Sequence, residues 1–145
     1  MPQEKWIERL VRYQYLEPLL RDRRVLEVGC GTGRGADHLA RIASRVLAIE
    51  TSSLVLSQAR QSYVRANLEF QVADPDRLNL PSASVDIVLV PELERWFTRG
   101  GLIPELRRVL SDGGLAVFAV PSADAGADAG LSYHDLSEYL SQGFE

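Results

Sequence analysis

Apolar residues at Trp6, Ile7, Leu10, Val11, Tyr13, Leu16 and Leu19 recur at mixed spacings of three and four. That rhythm predicts an amphipathic helix over residues 3–20, with Pro18 disturbing its last turn. The pattern then shortens. Apolar runs at residues 25–28, Arg45–Glu50, Leu68–Val72, Val85–Val90 and 115–120 have the length of buried strands. Helix-spaced stretches at 34–43, 53–65 and 102–110 separate all but the third and fourth of them; in the first, Ala36, Leu39, Ala40 and Ala43 share one face. Strands alternating with helices predict an α/β fold, a mainly parallel sheet covered on both faces with right-handed crossovers. Ligands of such sheets bind at the carboxyl ends of the strands.

Residues 121–131 are a small-residue tract without a periodic apolar face and predict a flexible loop. Ser132 to Asp135 resembles a capping box opening a short helix with Leu136, Tyr139 and Leu140 on one face. The expected organisation is a single domain over residues 1–145: an N-terminal helix (1–22), a ligand-binding core (23–120), the loop, and a C-terminal helix (132–145).

Composition narrows the partners. A chain of 145 residues with 46% hydrophobic content is long enough to bury roughly two thirds of its unfolded surface. Sixteen basic against twenty acidic residues, a net charge of −4, argue against nucleic acid as an electrostatic partner. Arg21, Arg23 and Arg24 cluster before the first strand, a pattern that fits a solvated lead-in better than a phosphate site. One cysteine forms no internal disulfide, and no Cys/His set has metal-ligand spacing. The N-terminus lacks a signal pattern and no apolar run approaches the ~20 residues of a membrane span. These features lead us to expect a cytoplasmic protein without nucleic-acid or membrane partners.

The chemistry concentrates at residues 25–33, Val-Leu-Glu-Val-Gly-Cys-Gly-Thr-Gly. Gly29, Gly31 and Gly33 give the backbone torsions closed to other residues and let a bulky ligand approach the main chain, just before a helix N-terminus. A tight strand-to-helix turn needs glycines for itself, so both readings stand. A dinucleotide loop, G-x-G-x-x-G, would need its third glycine at Arg34, which argues against a nicotinamide enzyme. Cys30 lies between two glycines, where a small side chain fits.

The alternate glycines, with Glu27 two residues before Gly29, resemble motif I of the class I S-adenosylmethionine-dependent methyltransferases, of the type 11/25-like kind. The resemblance spans about residues 10–120. Seventeen residues beyond Gly33 a second strand ends in Glu50, followed by Thr51; the third strand runs into Ala73 and Asp74; and residues 106–115, Leu-Arg-Arg-Val-Leu-Ser-Asp-Gly-Gly-Leu, look like the family's helix, Gly-Gly turn and fifth strand. The resemblance implies a Rossmann-like three-layer α/β/α sandwich with strand order 3-2-1-4-5 and S-adenosylmethionine as cofactor. It implies Glu27 at the methionine end, close backbone contact from Gly29, Gly31 and Gly33, Glu50 at the ribose and Asp74 at the adenine amino group, with Cys30, Thr51 and Ala73 also in the cofactor set. A carboxylate at position 50 suits both ribose hydroxyls through charge-assisted bonds. Pro91 completes the expected cofactor set. So does Tyr13, which, with Tyr15, is a candidate to cover the methionine end unless both only pack the first helix on the sheet.

Substrate contacts in the family come from the segment after strand 4, here Pro91-Glu-Leu-Glu-Arg-Trp-Phe97, which lacks the Asn-Pro-Pro-aromatic motif of enzymes acting on base amines or glutamine amides. Glu92, Glu94 and His134 are the weak catalytic candidates. The two acids are either general bases or solvent-facing helix-start residues, and His38 and His134 read as surface histidines. The family's sixth and seventh strands are missing, leaving strand 5 as an open edge. A fragment boundary, cover by a second copy or further domain, and loss of strands together with activity are the competing explanations, the first favoured. The expectation is methyl transfer to a small-molecule acceptor; the alternative is an inactive methyltransferase-like module serving protein interaction or assembly.

Overall fold

A computed structural model describes residues 2–120, 132–141 and 143, with side chains from residue 11 onward, Tyr133 apart. The loop expected at 121–131 lies outside them. Helix α1 (Pro2–Leu20) precedes strand β1 (Arg24–Val28), and α2 (Arg34–Ala40), β2 (Arg45–Glu50), α3 (Ser53–Ser62), β3 (Leu68–Val72) and β4 (Val85–Val90) follow. A single 3-10 turn (Leu93–Arg95), α4 (Leu102–Val109), β5 (Leu110–Phe118) and α5 (Tyr133–Ser141) complete the described elements.

All five strands pair in parallel in the order β3-β2-β1-β4-β5, as the sequence predicts. Val25, Leu26, Glu27 and Val28 of the central strand are all buried, which explains why it reads as a continuous rather than alternating run. One apolar cluster joins Tyr13 and Leu20 to Ala36, Leu39, Leu56, Ala59 and Phe70 on the α1–α2–α3 side. A second gathers Leu26, Val28 and Ile49 with Leu93, Trp96, Leu102, Leu106 and Tyr139 on the α4–α5 side. No helix among the described residues is long and apolar enough to cross a membrane.

Several boundaries differ from the sequence reading, each for a local reason. Helix α2 stops at Ala40 rather than 43 because the Asn67 side-chain amide donates to the carbonyls of Ala40 (2.7 Å) and Ala43 (3.0 Å) and tightens the end. Helix α3 stops at Ser62 rather than 65, since Tyr63 is already extended (φ −134°, ψ 122°). Strand β5 begins five residues before 115: Leu110 pairs with Val85, and the register then jumps to Leu115 opposite Ile87. The Gly-Gly pair expected as a turn is therefore an irregularity within a strand, with Gly113 at φ +73°. A Cβ on Gly114 would stand 2.9 Å from the Ser111 carbonyl and 3.0 Å from that of Asp86, so backbone crowding demands glycine there.

Within the arginine cluster at 21–24, Arg24 is more than a solvated lead-in, while Arg21 and Arg23 are exposed as expected. Asp86 Oδ2 accepts from the Arg24 amide (2.9 Å) and Nε (3.1 Å), its Oδ1 accepts from Nη2 (2.9 Å), and Ser111 Oγ donates to the same Oδ1 (3.0 Å). One carboxylate thus pins β1, β4 and β5 together. The Ser132 and Asp135 side chains cap α5 reciprocally: the Asp135 amide donates to Ser132 Oγ (3.1 Å), and the Ser132 hydroxyl and amide donate to Asp135 Oδ2 (2.6 and 3.3 Å).

Candidate functional site

The carboxyl ends of β1 and β2 meet at the glycine loop. The amides of Gly29 and Cys30 both donate to the Ile49 carbonyl (2.9 and 3.0 Å), clamping the loop to β2. All three glycines have left-handed torsions (φ +79°, +57° and +89°), yet they do different work. A Cβ on Gly33 would lie 2.8 Å from the Phe70 ring, so this glycine lets α2 pack on the sheet. A Cβ on Gly31 would meet nothing within 4 Å: here the main chain faces open space. Gly29 lies beneath the Arg95 guanidinium and the Trp96 indole, each 3.1 Å from where its Cβ would be.

Glu50 ends β2 fully inside the protein, 3% exposed. Its Oε2 accepts from the Gly31 amide (3.1 Å) and Arg95 Nη1 (3.4 Å), and its Oε1 from Arg95 Nη2 (2.8 Å). Burial pushes this carboxyl up, but the Arg95 hydrogen bonds, the Gly31 and Thr51 amides and the Arg95 charge together bring it below its ordinary value, so it stays ionised. Glu27 is completely buried on β1 and its Oε2 accepts from the Tyr13 hydroxyl (3.2 Å). Between the two acids, burial and then the charges of Glu27 and Glu50 push the Cys30 thiol far up, which removes it as a nucleophile and leaves steric fit as its role.

Ala73 continues the sheet ladder beside Glu50, its amide donating to the Glu50 carbonyl (3.1 Å), while Thr51 is exposed. Asp74 follows at the surface; its Oδ1 accepts from the Asp76 amide (3.0 Å) and lies 3.3 Å from Arg99 Nη2. Pro91 and Tyr13 line one shallow apolar crevice with Leu16 and Leu89. Tyr13 is buried edge-on to His38, whose Nε2 is 2.9 Å from Glu17 Oε1; His38, expected at the surface, is thus a partly buried tie between α1 and α2. Tyr15 is 83% exposed.

Among the catalytic candidates, Glu92 Oε2 is 3.5 Å from Arg95 Nη1, so this acid belongs to the Arg95 ion-pair group. Glu94 is half-buried, and its Oε2 has no hydrogen-bond partner among the described residues. His134 is exposed in the first turn of α5. The structure brings together Glu27, the three glycines, Glu50 and Ala73; Asp74, next after Ala73, pairs with Arg99, whose guanidinium lies 5.6 Å from the ring of Trp96, the residue that covers Gly29.

Sequence reasoning missed Arg95, Trp96 and Arg99. The Trp96 indole is buried with Arg95 Cζ 4.7 Å and Arg99 Cζ 5.6 Å from its ring centroid, and the two guanidiniums reach Glu50 and Asp74 respectively. The available signal was two arginines four apart flanking a tryptophan in the segment after β4; their partners, on β2 and beyond β3, carry no mark in the sequence.

Comparison with known proteins bears on the family and the fold. The family model described as "Methyltransferase domain" matches residues 26–118. A "Probable S-adenosylmethionine-dependent methyltransferase" of Mycobacterium tuberculosis is 36% identical over 119 residues, 81% of this chain and 43% of that protein. The malonyl-[acyl-carrier protein] O-methyltransferase of Yersinia pestis is 32% identical over 96 residues, 66% of this chain and 35% of the relative. Among solved structures, a chain of the Haloferax volcanii complex between the Trm112 methyltransferase activator and a methyltransferase superposes with a TM-score of 0.79 at 19% identity, covering 92% of this chain and 65% of that one. The chain spans less than half the length of these two curated relatives.

Proposed function

The chain belongs to the methyltransferase domain family, and from that premise we propose that it binds S-adenosylmethionine at the carboxyl ends of β1, β2 and β3 and transfers a methyl group to a small-molecule acceptor. The observation that carries this reading is Glu50, a buried, ionised carboxylate tied to the amide of Gly31, whose own face opens on free space. An adenosyl ligand suits that donor and acceptor set, and the relatives' names point to the same cofactor.

When bound, the cofactor supplies an electrophilic methyl group on a sulfonium. Glu50 would accept from the ribose hydroxyls with Thr51 alongside, Ala73 and Asp74 would flank the adenine, and Gly29, Cys30, Gly31 and Gly33 would bring the backbone close. Glu27, oriented by Tyr13, would hold the methionine end, with Pro91 bordering it. The chain's contribution to rate is proximity and alignment, which needs no nucleophilic side chain. Glu92 already lies in the Arg95 ion-pair group, which leaves Glu94 as the candidate of the two acids to take a proton from an acceptor.

Calorimetric titration with S-adenosylhomocysteine tests the reading. Saturable binding is expected, weakened at least about thirtyfold by Glu50→Ala through loss of a charged hydrogen-bonding group. No binding by folded protein would overturn it. The cytoplasm is the compartment proposed for a sequence whose single cysteine is buried. A second copy or a further domain is the proposed cover for the edge of β5 that no described strand pairs with, where Leu115 is 46% exposed. The second reading, a module without turnover that serves assembly, is favoured by one observation: Arg95 already holds the carboxylate that a cofactor would need.

A further inference from the structure

Residues 92–99 reach over the Glu50 and Asp74 carboxylates and over Gly29 of the loop. Their two arginines address the two carboxylates assigned to the nucleoside, Arg95 to Glu50 and Arg99 to Asp74, and Trp96 between them is buried against the loop. Two N–H groups of Arg95 and the amides of Gly31 and Thr51 already donate to the Glu50 carboxylate. The loop is therefore covered at Gly29, by Arg95 and Trp96, and open at Gly31.

The closed arrangement is also imperfectly satisfied. Asp76 Oδ1, Glu94 Oε2, Trp96 Nε1 and Tyr139 Oη are buried without a hydrogen-bond partner among the described residues, and all four belong to this segment or to residues it touches: Arg99 lies 3.4 Å from Asp76 Oδ2, and Phe97 packs on Tyr139 at 4.9 Å between ring centroids. Buried polar atoms left unpaired penalise the state that buries them. Leu93 and Trp96 anchor the segment in the second apolar cluster, so it is the two guanidinium contacts, at the imperfectly satisfied polar end, that are suited to exchange.

We infer that residues 92–99 act as a latch: Arg95 and Arg99 stand in for the nucleoside on Glu50 and Asp74, and an adenosyl ligand must displace them to bind. This rests on the cofactor reading above. Closure lowers apparent affinity by the fraction of molecules with the latch open, so weakening the latch raises affinity. A segment serving only to support the site would behave the opposite way, its loss weakening binding.

The test is calorimetric titration of wild type, Arg95→Met and Arg99→Met with S-adenosylhomocysteine and with adenosine, with thermal melting and circular dichroism to establish folding. Arg95→Met is expected to lower the Kd for both ligands by the same factor, about tenfold, while the unliganded variant melts lower than wild type. Arg99→Met, at the more exposed carboxylate, should give a smaller gain in the same direction, and it keeps the test open should Arg95→Met fold poorly. Binding by wild type with equal or weaker binding by both variants would overturn the latch and leave the cofactor reading intact. No binding by any folded form would overturn the cofactor reading, and the latch with it. Binding by a variant alone supports both.

Discussion

The three loop glycines share a sequence spacing and a left-handed backbone, but their surroundings separate them, and mutation should too. Gly31→Ala places a methyl in open space at φ +57°, so we expect a stability loss of only about 1–2 kcal/mol together with marked loss of S-adenosylhomocysteine binding. Gly33→Ala drives a methyl into Phe70 and should cost more, about 2–4 kcal/mol by combined strain and overpacking. Urea melts beside calorimetric titration distinguish the two. The glycine spacing and the strand-end acids Glu27, Glu50 and Asp74 are legible in the sequence because each is a local signal at the end of an apolar run. The division of labour among the glycines is not, since it depends on Phe70 arriving from β3. The Arg95–Glu50 contact is illegible for the same reason, its partners lying 45 positions apart.

At the scale of elements, the sequence supplies existence and order, whereas tertiary contacts set the ends. Asn67 terminates α2, and the Asp86–Ser111 contact draws β5 back to Leu110. Asp86 carries a pH prediction. The Arg24 side-chain hydrogen bonds hold its carboxyl far below the usual range against a smaller opposing effect of burial, with the Arg24 amide, Ser111 and the Arg24 charge adding to the lowering. A depressed folded-state pKa gives stability that is complete above the unfolded value near about 3.9 and is lost as pH falls below it. Asp86→Asn should therefore lower the melting temperature at pH 7 and flatten its decline on acidification, read by melting curves from neutral to acid. Helix α1 docks through a different contact: a Cβ on Gly35 would clash with the Tyr13 hydroxyl and ring. Gly35→Ala should cost about 1–3 kcal/mol. Its effect should shrink in a Tyr13→Ala background, a non-additivity that a double-mutant cycle measures.

Across the whole molecule, the parallel order puts β1 between β2 and β4 with both faces covered, while β3 and β5 each have a free side among the described strands. Amide hydrogen exchange should follow that gradient, slowest in β1, β2 and β4, faster in β3 and β5, and fastest across residues 92–99. Uniform protection across the five strands would contradict it. The two apolar clusters on opposite faces of the sheet divide the labour further, since the one containing Leu93 and Trp96 also contains α4. The chain has two tryptophans, Trp6 and Trp96, and Trp96 is buried against the glycine loop with two guanidiniums beside its ring. With Trp6→Phe in place, the remaining indole becomes a built-in optical probe, whose emission wavelength and accessibility to a neutral quencher should change as a nucleoside arrives, reporting occupancy without any attached dye.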